Sequence, residues 1–235
     1  MGNEFKFKNF SIRQDKCAMK VGTDGVLLGA WAQGGDRILD IGTGTGLIAL
    51  MMAQRYPASS IDAIDIDSDA CNQATENVKT NHYENIIHVS HNSLQNFYSK
   101  SPYDAIICNP PFFINSLKSP DSKKNIARHT ETLSYADLFH NIKRLLGENG
   151  IFSAIIPKES IEHFLTESYI SGIFVHQKCW ITTVKGKPEK RVLLSFHKHS
   201  YYPFKEAHKI LFETDGNKSE WYRKLTDDFY INSID

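Results

Sequence analysis

Short apolar runs alternate along this 235-residue chain with longer stretches in which apolar residues recur every three or four positions. The first kind reads as strand and the second as helix. The pattern predicts helix over 25–32, strand over 37–41, helix over 45–55, strand over 60–64, helix over 68–81 and strand over 86–90. A short helical piece near 94–98 precedes a strand over 103–108, whose residues Tyr103-Asp-Ala-Ile-Ile-Cys108 are almost wholly apolar. Helix is expected over 135–146, with Ser134 as its cap and Gly147 ending it. Strand 150–156 and helix 161–171 follow, then strands 174–183 and 190–197 joined by the turn Lys185-Gly-Lys-Pro188. The tail from Tyr201 is expected to return as a helix over about 218–229.

Such alternation predicts an α/β fold: a seven-stranded, mostly parallel sheet with helices on both faces, to which the closing hairpin adds one antiparallel strand. No repeat or low-complexity segment interrupts it. A single domain over 1–235 is expected, with 1–34 as an N-terminal extension and 201–235 as a tail packed on the body.

Two stretches carry candidate chemistry at the edge where parallel strands end and ligands bind. The strand 103–108 runs into Asn109-Pro-Pro-Phe112. Asn109 offers a side-chain carbonyl, and Pro110 a backbone carbonyl whose neighbour Pro111 has no N–H to compete. Two adjacent acceptors suit a planar NH2 group, and Phe112 and Phe113 offer faces on which a planar ring could stack. The plainer reading is a proline turn leaving a strand, with two buried phenylalanines. The other stretch is Arg37-Ile-Leu-Asp-Ile41 leading into Gly42-Thr-Gly44-Thr-Gly46 and a helix. Strand, glycine loop and helix start form half of a nucleotide-binding unit, with backbone N–H groups free to meet a carboxylate or phosphate. The dinucleotide spacing fails, because Leu47 stands where the third glycine would be. What remains is an acid, Asp40, suited to a ligand's ammonium, and nineteen residues past Gly46 a second acid, Asp65, suited to ribose hydroxyls. An amino-acid end, a ribose and an adenine together describe S-adenosylmethionine.

These residues resemble the class I methyltransferase fold, of Rossmann-like type, with the signature of enzymes that methylate amines. Residues 13–31, from Arg13-Gln-Asp-Lys16 through Lys20-Val-Gly-Thr-Asp24 to Gly29-Ala-Trp31, are similar to the start of the bacterial tRNA(Val) adenine N6-methyltransferases, which act on adenine 37, just 3′ of the anticodon. The likeness runs from Phe5 to Asp227-Asp-Phe-Tyr230. It implies catalytic roles for Asn109, Pro110, Pro111 and Phe112, and cofactor contacts from Lys20, Thr23, Asp40, Gly42, Thr43, Gly44, Gly46, Asp65, Ile66 and Asn92. Capping of a helix start by Thr23 or Asp24 accounts for that stretch nearly as well as a lid over the cofactor does. Asn92 departs from the family, which commonly carries an aspartate there against the adenine; an asparagine can accept from N6 and also donate to N1.

Composition agrees with an intracellular enzyme. At 41% hydrophobic the chain can bury one large core. No run of eighteen apolar residues occurs, and Met1-Gly-Asn-Glu-Phe5 lacks the features of a signal peptide, so a soluble cytoplasmic enzyme is expected. Cys17, Cys71, Cys108 and Cys179 are widely spaced, which points to free thiols and no metal. Cys108, at the end of an apolar strand, reads as a small buried hydrophobe rather than a nucleophile.

Charge placement matters more than the net charge of zero. Residues 176–199 carry Lys178, Lys185, Lys187, Lys190, Arg191 and Lys198 against Glu189 alone. A second basic cluster, Lys118, Lys123, Lys124, Arg128 and His129, lies in the long connection after Phe113. Lys123, Lys124, Arg128, His129, Lys185, Lys187 and Lys190 are therefore candidate RNA contacts, with a solvated charged surface as the plainer account. The expected partners are a tRNA and no membrane, with the enzyme a monomer. Methylation of guanine N2 in ribosomal RNA, of a glutamine amide in a protein, and a catalytically silent cofactor-binding module stay open at this point.

Overall fold

The computed structural model describes residues 4–17, 20–110 and 133–231. A two-stranded hairpin opens it, β1 (Glu4–Lys6) with β2 (Ser11–Arg13). The main sheet contains β3 (Arg37–Ile41), β4 (Ser60–Asp65), β5 (Ile87–His91), β6 (Tyr103–Cys108), β7 (Leu146–Pro157), β8 (Phe174–Val184), β9 (Glu189–His197) and β10 (Lys205–Phe212), in the spatial order β10-β8-β9-β7-β6-β3-β4-β5. Strand β9 is antiparallel to both neighbours, and every other adjacent pair is parallel.

The sheet thus has eight strands where the sequence pattern predicts seven. The extra one is β10, at the edge beside β8. Its sequence Lys-Glu-Ala-His-Lys-Ile-Leu-Phe buries only Leu211, so it lacks the apolar run of an inner strand. Residues 94–96 form a turn rather than a helical piece. Gly147 does not end a helix either: β7 starts at Leu146, directly after the helix. The short hairpin β1–β2 has no counterpart in the predicted elements, since three-residue strands carry too little periodicity to read.

Helices α1 (Thr23–Trp31), α2 (Leu47–Arg55) and α3 (Ser68–Thr80) lie on one face with the C-terminal α6 (Glu220–Thr226); α4 (Tyr135–Leu145) and α5 (Ile161–Ile170) cover the other. Side chains of a strand point alternately to its two faces, so Ile38 joins the α1–α2 core while Leu39 and Ile41 join the α4–α5 core. Asp40 therefore faces the α1–α2 side. The hairpin β1–β2 packs against the far end of the chain: Lys8 N donates to Phe229 O at 2.8 Å, and Phe7 stacks on Tyr230 with ring centres 5.9 Å apart. Among the described residues no helix is long and apolar enough to cross a membrane.

Candidate functional site

Strands β3, β4 and β6 end at one edge of the sheet, and beyond them lies a cavity of about 680 Å³. The loop after β3 forms its floor. This loop is tied to β4: Gly42 N and Thr43 N both donate to Ile64 O, at 2.9 and 3.0 Å, and Gly44 N donates to Asp65 Oδ2 at 2.8 Å. Those N–H groups are thus used within the protein, unlike the open anion cradle that the sequence predicts. Gly42, at φ +69°, has nothing within 4 Å of where a Cβ would be, so its backbone faces open space. Gly46 has another task. It caps α2 at φ +82°, and a Cβ there would stand 3.3 Å from that of Ala74, so the position needs glycine for the turn and for packing.

Asp40 is fully buried beneath this loop. Its Oδ2 accepts from Thr43 Oγ1 at 2.7 Å, and its Oδ1 has no hydrogen-bond partner among the described residues. Burial raises its pKa to about 7; the Thr43 hydroxyl works against that rise and the nearby Asp65 charge adds to it. Asp65 uses both oxygens structurally, Oδ2 for Gly44 N and Oδ1 for Asp67 N at 3.0 Å, while remaining half-exposed on the cavity wall. Ile66 stands 55% exposed beside it, an apolar surface at the wall. Asn92 completes this side, its N–H held by Asp65 O at 2.9 Å.

The opposite wall comes from the start of α1 and the segment before it. Lys20, Thr23 and Asp24 all line the cavity. The helix N-cap is Gly22, with no side-chain cap, so capping does not explain Thr23 or Asp24. Asp24 instead pairs with Arg191 on β9, Nε to Oδ2 at 2.8 Å. Asn109, the first residue after β6, also lines the cavity, and its Oδ1 is buried without a hydrogen-bond partner among the described residues. Pro110 is buried next to it. Pro111, Phe112, Phe113, Lys118, Lys123, Lys124, Arg128 and His129 lie outside the described residues. Cys108 is buried with its thiol pKa pushed far up, chiefly by burial, which fits a packing role.

Of the expected cofactor residues, the structure brings Lys20, Thr23, Gly42, Thr43, Gly44, Asp65, Ile66 and Asn92 to the cavity wall, while Asp40 and Gly46 sit behind it. Cys17, Ser93, Gln95 and Leu133 line it as well and carry no motif that would mark them. One group outside the motifs does carry a periodic signal. Gln73, Asn77 and Asn81 recur every fourth residue, so they form a single stripe along α3. Gln73 Oε1 accepts from Lys16 N, Asn77 grips both Arg13 N and Arg13 O, and Asn81 grips both Ser11 N and Ser11 O, all at 2.8 to 2.9 Å. This ladder pins residues 11–16, which lead to Cys17 and Lys20 at the cavity. Asn77 Nδ2 also donates to Thr45 O in the glycine loop at 2.8 Å.

The basic hairpin stands at the same edge. Strand β8 runs parallel to β3 and β6, so its C-terminal end and the following turn project on the cavity side; the turn lies three strand spacings from β6, roughly 14 Å. Its charges are partly answered: Lys185 pairs with Glu213 at 3.0 Å, Lys198 with Glu148 at 3.1 Å and Arg191 with Asp24. Lys187 and Lys190 form no ion pair among the described residues, where no cluster of three potential metal ligands occurs either.

This sheet order, one reversed strand, a glycine loop after the central strand and an acid closing the next define a class I methyltransferase that uses S-adenosylmethionine. Residues 21–156 match the family model "Methyltransferase small domain". The chain is 44% identical over 231 residues to the tRNA1(Val) (adenine(37)-N6)-methyltransferase of Parabacteroides distasonis, and 45% identical over 230 residues to that of Phocaeicola vulgatus, covering 97% of both chains in each case. It belongs to this family of methyltransferases. A predicted O-methyltransferase from Agrobacterium tumefaciens has the same fold at 16% identity, with a TM-score of 0.68 over 88% of this chain and 96% of that one.

The residues fit the cofactor. Asp40, buried just behind the cavity wall with one oxygen unbonded among the described residues, sets a negative group on the side suited to the cofactor's ammonium end, and the open face of Gly42 leaves room for backbone approach. Two expected results follow. Replacing Asp65 by alanine should weaken cofactor binding by about 2 kcal/mol, roughly thirtyfold in Kd, because the carboxylate both shapes the loop through Gly44 and offers acceptors to hydroxyls. Calorimetric titration measures this, and an unchanged Kd with a normal circular dichroism spectrum would remove Asp65 from the site. Cofactor affinity should also depend on pH. A cation favours the ionised form of Asp40, whose pKa without ligand is raised to about 7. Binding should then release a proton below that value, tighten as pH rises through it and level off above. Titration in buffers of different ionisation enthalpy counts the proton, and Asp40→Asn should flatten the profile. A flat wild-type profile would place the ammonium elsewhere.

Proposed function

We propose that this chain transfers the methyl group of S-adenosylmethionine to the N6 amine of adenine 37 in tRNA(Val). The observation that carries the reading is Asn109 Oδ1, a buried acceptor without a partner among the described residues, on the wall of the cavity built by the glycine loop and Asp65. Such an atom is costly unless a ligand donates to it. A planar amine does so, and the backbone carbonyl of Pro110 can take its second N–H. The amine is a weak nucleophile because its lone pair is delocalised into the ring. Drawing both N–H bonds to the protein favours a pyramidal nitrogen whose lone pair is directed out of the ring plane. The bound cofactor supplies an already activated methyl on a sulfonium, so the protein's own part is alignment and electrostatics. Phe112, beyond the described residues, is assigned the stacking of the adenine, which must be splayed out of its loop to enter.

The hairpin turn at the cavity edge supports RNA over a protein amide as substrate, since Lys187 and Lys190 present cations there that no described acid answers. Incubating the protein with labelled cofactor and separate pools of tRNA, ribosomal RNA and protein tests the assignment. Label should enter tRNA and be recovered after digestion as N6-methyladenosine; label in guanine or in a protein amide would replace this reading. Salt dependence tests the hairpin separately. Removing one phosphate-binding cation should lower the slope of log affinity against log salt by about 0.7 to 0.9. Lys187→Ala and Lys190→Ala should each do so, and Lys185→Ala less, because Glu213 already answers its charge. An unchanged slope in the triple variant would make the hairpin a solvated surface only.

A further inference from the structure

The cofactor cavity and the hairpin are joined by one charge pair. Asp24 lies in the first turn of α1 and lines the cavity. Its partner Arg191 lies on β9, level with Pro157 of β7 and next to Lys190. Cys108 of β6 is level with Ala154 of β7, three residues short of Pro157, so Arg191 stands roughly 10 Å further out than the end of β6. It occupies the ground between the amine site and the hairpin cations. The bond, 2.8 Å from Nε to Oδ2, is partly shielded, with the side chains 32% and 23% exposed. Arg191 Nη1 also donates to Lys190 O at 3.1 Å, which ties the guanidinium to the strand that carries the cations.

We propose that the Asp24–Arg191 pair couples the two binding events, so that cofactor in the cavity strengthens the grip on RNA phosphate and the reverse. The proposal rests on the tRNA reading given above. S-adenosylmethionine carries net positive charge, and a phosphate held by Lys187 and Lys190 is negative. With both present, the order from cavity to hairpin is cation, carboxylate, guanidinium, phosphate. Each ligand competes for one member of the pair. A cofactor cation that draws on Asp24 leaves the guanidinium freer for phosphate, and phosphate on Arg191 leaves the carboxylate freer for the cation, a guanidinium suiting phosphate as well as carboxylate geometry. Reciprocity then requires the same factor in both directions. A merely structural ion pair at this exposure contributes little and predicts no such link.

The test measures binding of fluorescently labelled tRNA(Val) by the full-length protein, with and without saturating sinefungin, a cationic cofactor analogue that transfers no methyl group. For the wild type the analogue should tighten tRNA binding at least roughly fivefold, within the usual range of such couplings. In Asp24→Asn and in Arg191→Gln the tightening should fall below about twofold, and the double variant should lose no more than either single one. Asp24→Glu and Arg191→Lys, which keep the charges, should retain more of it than the neutral variants, which separates charge coupling from damage to the fold. Full tightening in Asp24→Asn overturns the proposal. Wild-type protein that binds tRNA with no tightening also overturns it and leaves the proposed function standing, whereas wild-type protein that binds no tRNA overturns both.

Discussion

Asn109→Ala should lower turnover roughly a hundredfold or more while leaving the cofactor Kd almost unchanged. In the free protein Asn109 Oδ1 is buried and no donor among the described residues reaches it. Removing a buried acceptor that holds up no other group should cost the fold little. The same atom gains its partner when an amine enters, and its pull matters most as the nitrogen becomes pyramidal in the transition state. The loss should therefore appear in the rate rather than in cofactor affinity. Single-turnover kinetics on tRNA(Val), paired with calorimetric titration of the cofactor, separates the two. Near-native turnover of the variant would end the amine-holding role. A large loss in cofactor affinity would instead make Asn109 part of the cavity's framework.

The second large effect is expected far from the chemistry. Asn77 is almost wholly buried, and its amide makes three backbone hydrogen bonds, two to Arg13 and one to Thr45. One side chain thus joins the segment over the cavity to the loop beneath it. Asn77→Ala leaves three backbone groups without partners and should cost about 3 kcal/mol of stability, or roughly 6 to 12 °C in Tm for a chain of this size. Cofactor affinity should fall as well, because both walls lose their tie. Asn81→Ala is the control: it also releases backbone groups of Ser11 but has no bond to the loop, so its Tm should drop less and its cofactor Kd should hold. Thermal melting and titration of both variants decide the matter. Equal losses of affinity in the two would mean that the link to Thr45 carries no weight.

The sequence makes legible what is local in the chain. The strand runs into Asp40, Asp65 and Asn109 are continuous in sequence and mostly buried, so their apolar pattern and the motif that ends each can be read together. The lone reversed strand is legible too, because a short glycine turn between two strands forces the return. The amide stripe on α3 is not, since glutamine and asparagine on a helix read as a solvated face until a strand is known to lie against them. Strand β10 stays hidden for a related reason: an edge strand needs little apolar surface, and its pairing with β8 is a long-range fact. Asp24 is visible as an acid near a helix start, and the partner that gives it meaning lies 167 residues away.

The bond from Lys8 to Phe229 joins segments about 220 residues apart, and the rings of Phe7 and Tyr230 meet at the same place. Contacts of such separation form late, since the intervening chain must first exist and then close. During synthesis, Phe5, Phe7 and Phe10 leave the ribosome early and have no Tyr230 to pack against until nearly everything else has been made. A chain whose translation stops short of residue 229 would keep part of this aromatic surface uncovered, the kind of surface that chaperones and proteases act on. Truncation before residue 229 should therefore leave Phe5 and Phe7 without the ring of Tyr230 and make the leading segment more open to protease than in the full chain.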